Sequence, residues 1–163
     1  MIPVLVTPPV DPVVTLDEMK VHLRVVDDSE DLLIQHYIDS AVAHFDGYSG
    51  VLGRAIARQT WRVSAAAAGD HLLPLPDVIS AAGPDGALPL RRVAQGSMVS
   101  VSKACDVDFV CGLPAHLLPV VQQSVRLTVA HWFRQREAAA EGSQQSVPLS
   151  VEALIGSVRW VRF

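Results

Sequence analysis

Two stretches of this chain repeat apolar residues at spacings of three and four, and together they limit the folds open to it. In the first, Ile34, Ile38, Ala41, Phe45 and Tyr48 make one stripe, with Gln35, Asp39, Ser40 and Asp46 on the other face. In the second, Pro114 and Pro119 open a helix whose stripe runs through Val121, Val125, Thr128 or Val129, Trp132 and Arg136. A stripe of that width needs another element to cover it, so the two helices call for packing partners. A shorter helix over about 16–25 is predicted ahead of the first. Thr15-Leu16-Asp17-Glu18 has the form of a capping box, in which each end residue satisfies the other's backbone N–H. Asp27-Asp28-Ser29-Glu30 then restarts a helix with acidic residues at its positive end.

Between the helices the period changes. Ile56, Arg58, Thr60, Arg62 and Ser64 alternate with Ala57, Gln59, Trp61 and Val63, which predicts a strand with Trp61 on its buried face. Pro74, Pro76, Pro84-Asp85-Gly86 and Pro89 punctuate the next segment, with Pro84-Asp85-Gly86 reading as a turn. Val99 and Val101, then Val107, Phe109 and Cys111, read as two short strands. The expected fold is therefore mainly α (α+β): an antiparallel helical bundle with a small irregular antiparallel β element and an extended C-terminal arm. Its parts are an N-terminal extended arm over 1–14, a helical domain over 15–141 with a β-containing insertion at about 54–112, and a C-terminal linker and arm over 142–163.

The C-terminal arm is expected because Arg159-Trp160-Val161-Arg162-Phe163 sets two aromatics among arginines. Eleven of the thirteen basic residues are Arg, and the guanidinium suits ordered, partly desolvated contacts. Trp132 and Phe133 beside Arg134 and Arg136 repeat that composition, which is that of interface hot spots.

Several function classes are excluded. Half of the residues are hydrophobic, so a core can form, and no apolar run approaches the ~18 residues of a membrane span. The broken, proline-rich N-terminus does not read as a secretory signal. The net charge of −4 argues against nucleic acid as the main ligand. That charge is uneven: residues 1–53 hold nine acidic and two basic side chains, and residues 54–163 hold eight and eleven. A negative front and a positive back suit packing between copies of one chain. Two cysteines are too few for a disulfide framework and are expected as free thiols. His22, His36, His44, His71, His116 and His131 never form the i, i+4 pair of a helical zinc site, and no nucleophile elbow or phosphate loop occurs. Catalytic, cofactor-binding and metal-binding residues are therefore expected to be absent.

Four blocks resemble the head–tail connector (adaptor) family of long-tailed bacteriophages and phage-like gene transfer agents. They are Thr15 to Arg24 leading to Asp31-Leu32-Leu33-Ile34, Leu52-Gly53-Arg54 to Trp61, Val107 to Pro114 running into Ala130 to Glu137, and Val151 to Ile155 with Arg159 and Arg162. The chain departs from the family between about 65 and 105, where Ala65 to Ala68 and scattered prolines replace a richer sheet. The resemblance implies a non-enzymatic ring component, normally dodecameric, in the neck of a virion or phage-like particle assembled in the bacterial host cytoplasm. Its implied partners are further copies of itself, the portal protein, and a stopper or tail protein on the distal face. DNA would pass through the channel without sequence-specific binding, and no membrane is involved.

On this resemblance the portal-binding residues are expected to be Leu154, Ile155, Arg159, Trp160, Arg162 and Phe163. The subunit interface is expected to use Arg54, Arg58, Trp132, Arg134 and Arg136. The rival readings are a DNA-packaging or DNA-binding accessory protein, and a stopper or tail-completion protein of the same neck.

Overall fold

The computed structural model describes residues 1–135 and 149–161. In chain order its elements are β1 (Val4–Thr7), α1 (Leu16–Leu23), α2 (Asp31–Phe45), β2 (Gln59–Ala65), β3 (Gly69–Leu72), β4 (Val78–Gly83), β5 (Gly86–Leu88), β6 (Arg91–Val93), β7 (Gly96–Val101), β8 (Cys105–Cys111), α3 (Leu118–Gln135) and α4 (Leu149–Val158). Among the described residues no helix is long and apolar enough to cross a membrane.

This corrects the expected fold class. Among the described residues four α-helices stand beside eight strands in two antiparallel sheets, so the protein is not a mainly helical bundle with a small β element. One sheet has the order β1-β2-β8-β4-β5, the other β3-β7-β6. The strands from β3 to β6 are three to six residues long, too short for alternation to stand out from the prolines and glycines around them. The extended C-terminal arm is corrected too: Leu149–Val158 is helical, and Val151, Ile155 and Val158 are buried.

The helical core joins Met19 of α1, the stripe Ile34, Ile38, Ala41 and Phe45 of α2, Val121, Val125 and Val129 of α3, and Val151, Ile155 and Val158 of α4. Val13 and Val14, just ahead of α1, are buried in the same core. The capping box forms as the sequence predicts: Thr15 Oγ1 accepts the Glu18 N–H at 3.2 Å, and the Thr15 N–H donates to Glu18 Oε2 at 3.0 Å. Asp27 does not cap α2. Its carboxylate accepts the Ser29 N–H, and α2 starts at Asp31 with no side-chain cap.

A second core lies between the sheets. Val63, Ala65, Val107, Phe109 and Cys111 come from the larger sheet, Val99 and Val101 from the smaller, and Leu73 and Leu75 from the loop between them. Along β8, Val107, Phe109 and Cys111 point inward while Asp106 is exposed, the period-two pattern of a half-buried strand. Trp61 is half-buried against this core. Pro84 and Asp85 form the two-residue turn between β4 and β5, where Gly83 pairs with Gly86.

Asp46 joins the two bodies. Its N–H closes α2 on Val42 O at 2.8 Å. Its carboxylate accepts the Ile56 N–H at 2.6 Å and Gln59 Nε2 at 3.0 Å, fixing the end of α2 to the entry of β2. Since α2 runs toward the sheets and α3 runs away from them, these two helices are antiparallel. α4 ends back at the sheets, where the Trp160 N–H donates to Leu52 O at 2.8 Å.

Candidate assembly surfaces

The residues expected to bind a portal divide on inspection. Ile155 is part of the helical core and Leu154 is half-buried on the same helix. Arg159 is exposed, and its N–H continues the helix by donating to Ile155 O at 2.8 Å. Trp160 is half-buried at the junction of the two bodies. Arg162 and Phe163 lie outside the described residues.

Of the residues expected at a subunit interface, Arg54 is turned inward. Its guanidinium donates to Asp77 Oδ2 at 2.6 Å, with only 13% and 19% of the two side chains exposed. The Cζ of Arg54 stands 5.5 Å from the centroid of the Trp160 ring, within cation–π range. Arg58 is exposed where β2 begins, its backbone against Gly112. Trp132 is half-buried and meets Tyr37 at 6.1 Å between ring centroids. Arg134 is exposed one half-turn further on, and Arg136 lies outside the described residues. The structure thus brings Arg54 together with Trp160. It leaves Arg58 near the start of α3 and Trp132 and Arg134 at its far end, about 25 Å along an 18-residue helix.

Nothing local marks Asp77, whose φ of +57° is unusual for a residue with a side chain, or its pairing with Arg54 across 23 positions. Sequence reasoning also missed three exposed apolar residues of the helical body. Val26 in the α1–α2 turn is 94% exposed, Leu32 at the start of α2 is 89% exposed, and Leu149 at the start of α4 is 82% exposed. A Leu32 standing off the stripe of Ile34 and Ile38 was the available signal. Lys20 steadies this turn by bridging Asp28 at 2.6 Å and Asp31 at 2.7 Å, and those hydrogen bonds push its ammonium above the ordinary lysine range. β1 forms one edge of the larger sheet and carries the exposed Val4, Leu5 and Val6.

The buried ionisable groups belong to the joint rather than to a reactive site. Desolvation holds the Asp46 carboxyl above the usual aspartate range, against the opposing hydrogen bonds from Ile56, Gln59 and Gly47. Burial, with the nearby charges of Asp46 and Asp77, pushes the Cys111 thiol up to about 12. On the exposed face of β2 and β8, Arg62 grips Asp108 through two hydrogen bonds of 2.6 and 2.9 Å, which hold the Asp108 carboxyl below its ordinary range. Among the described residues no group of three or more His, Cys, Asp or Glu is placed to hold a metal ion. What this surface offers is contact area: exposed aliphatics, arginines and a docked C-terminal segment.

Comparison with known proteins bears out the resemblance to the head–tail connector family, over the stretch that holds the first two of the four blocks. Residues 13–68 match the family described as Phage gp6-like head-tail connector protein. Two solved structures share the fold over all of this chain and 97% of theirs, each at 21% identity. One, at a TM-score of 0.66, is a chain of the virion of a native gene transfer agent particle. The other, at 0.67, is a chain of the neck of an empty gene transfer agent particle, computed with C6 symmetry. No curated protein sequence matches the chain.

Proposed function

We propose that this chain is a structural head–tail connector, a ring component of the neck of a phage or phage-like particle. It sits below the portal, extends the DNA channel and joins head to tail; it is not an enzyme. The observation that carries this reading is the connector-family match over residues 13–68, which covers α1, α2 and the strand they lead into. The likeness of the whole fold to chains of gene transfer agent particles supports it.

The ring is dodecameric in this reading. Arg58, Trp132 and Arg134 contribute to contacts between copies, and the C-terminal residues from Arg159 onward face the portal. The acidic excess of residues 1–53 fits a conduit, because carboxylates lining a bore repel phosphate and let DNA slide. Exposed Asp17 and Asp27 are available for that role.

Co-expression with the portal protein, followed by native mass measurement, tests the proposal. The expected product is a ring of this chain seated on the portal. A monomer that ignores the portal and retards duplex DNA would instead identify a DNA-binding accessory protein.

A further inference from the structure

Two unusual backbone features converge on one residue, Trp160. Gly53 has a φ of +62°, and a Cβ there would lie 2.8 Å from the Trp160 carbonyl oxygen, so only glycine lets the two backbones approach so closely. Asp77, also left-handed at φ +57°, presents its carboxylate to Arg54, and Arg54 in turn stands over the Trp160 ring. Gly96, whose φ of +130° belongs to the β6–β7 turn, lies beside the far edge of the ring, where a Cβ would make an ordinary contact at 3.9 Å from Cζ2. The Leu52 carbonyl completes the set by accepting the Trp160 N–H at 2.8 Å.

We propose that Leu52, Gly53, Arg54 and Asp77 form a docking cradle that holds Trp160 on its own subunit and withholds it from a partner until the partner displaces it. The proposal rests on the reading above that this end of the chain faces the portal. Non-glycine left-handed backbone costs free energy and persists where surrounding contacts enforce it, so the φ of +57° at Asp77 marks its pairing with Arg54 as a built contact.

The docking is nevertheless incomplete. Trp160 is only half-buried and borders an open cavity of about 290 Å³, lined also by Tyr48, Leu73 and Pro74. Val151, Ile155 and Val158, two to nine residues earlier, are buried in the helical core. The helix is thus the anchor and the residues after it are the exchangeable part. One indole cannot occupy the cradle and a partner's pocket together, so cradle occupancy lowers the apparent affinity for the partner by the fraction of open subunits.

The test uses the full chain and purified portal oligomer, with Arg54→Ala and Arg54→Lys. The lysine variant keeps a cation for Asp77 but lacks the flat guanidinium face, and it serves if the alanine variant fails to fold. The expected result is at least tenfold faster hydrogen exchange at the Trp160 amide with α2 and β8 amides unchanged, and severalfold faster association with the portal. Unchanged exchange at Trp160 in both variants overturns the cradle. Faster exchange without faster association overturns the withholding role, provided a chain ending at Val158 no longer binds the portal. If that shortened chain binds as well as the full one, the portal-facing reading fails and the withholding role falls with it, while the exchange data still report on the cradle by themselves.

Discussion

Replacing Ile155 with alanine distinguishes a C-terminal helix that belongs to the core from an arm that projects. Ile155 is 7% exposed and lies between Val151 and Val158 on one face of α4, at helical spacings of four and three. Truncating a buried isoleucine to alanine costs about 2–5 kcal/mol, made up of lost transfer energy and the cavity left behind. The residual exposure of Ile155 lets its neighbours relax, which favours the lower end, about 2–3 kcal/mol. For a domain of this size, with a urea slope of about 2 kcal/mol/M, that moves the unfolding midpoint down by about 1–1.5 M at unchanged slope. Glu152→Ala is the control: Glu152 is exposed on the same helix, and such a change stays within about 0.5 kcal/mol. Urea titration followed by circular dichroism measures both. If Ile155→Ala unfolds with the control rather than well below it, α4 does not pack in solution and the account of the core given above is wrong.

Further outcomes follow from the joint and the caps. Thr15→Ala removes the acceptor for the Glu18 N–H and should cost about 1 kcal/mol in urea denaturation; no measurable loss would mean the box does not form in solution. Gly53→Ala meets both a left-handed backbone and the Trp160 carbonyl, and should cost about 1–3 kcal/mol; an unchanged melting temperature would count against the close approach. Asp46 is held above the aspartate range in the fold, so its protonated form stabilises: the contribution is present below the unfolded value and is lost as pH rises through the folded one. The stability of the wild type relative to Asp46→Asn should therefore fall as pH rises from the ordinary aspartate value, about 4, through the raised folded one, and a pH-independent difference would contradict the burial argument. The Cys111 thiol, pushed up to about 12, should resist iodoacetamide at mildly alkaline pH while half-exposed Cys105 is alkylated; equal labelling of the native protein by mass spectrometry would refute this.

The helices were legible because each carries a complete local signal. Thr15 and Glu18 define a start, and Ile34, Ile38, Ala41 and Phe45 define a face, without reference to anything distant. The strands at Val99–Val101 and Val107–Cys111 were legible for the same reason, since their alternation is uninterrupted. The extent of the sheets was not, because β5 and β6 have three residues each and no alternation to read. α4 was misread for a different reason. Composition shows that Val151, Ile155 and Trp160 need cover but cannot say whether the cover comes from the same chain or another. The Arg54, Asp77 and Trp160 cluster was hidden because it unites three segments far apart in sequence, and only the fold makes them neighbours.

The same distinction between local and distributed constraint explains why the family match ends near residue 68 although the shape is shared throughout. Residues 13–68 hold positions that need one residue type: Thr15 and Glu18 for the box, Asp46 for its bonds to Ile56 and Gln59, Gly47 at φ +78° with a Cβ position 3.1 Å from Trp61, and Gly53 beneath Trp160. The later strands require only an apolar residue at every second position, which Val, Ala, Phe or Cys all meet here. Many sequences satisfy such a pattern, so likeness there survives in the backbone trace after it has faded from the letters. A chain built this way can keep its helical joint fixed while its sheets are reshaped, and Ala65 to Ala68 stand where the one-residue constraints end.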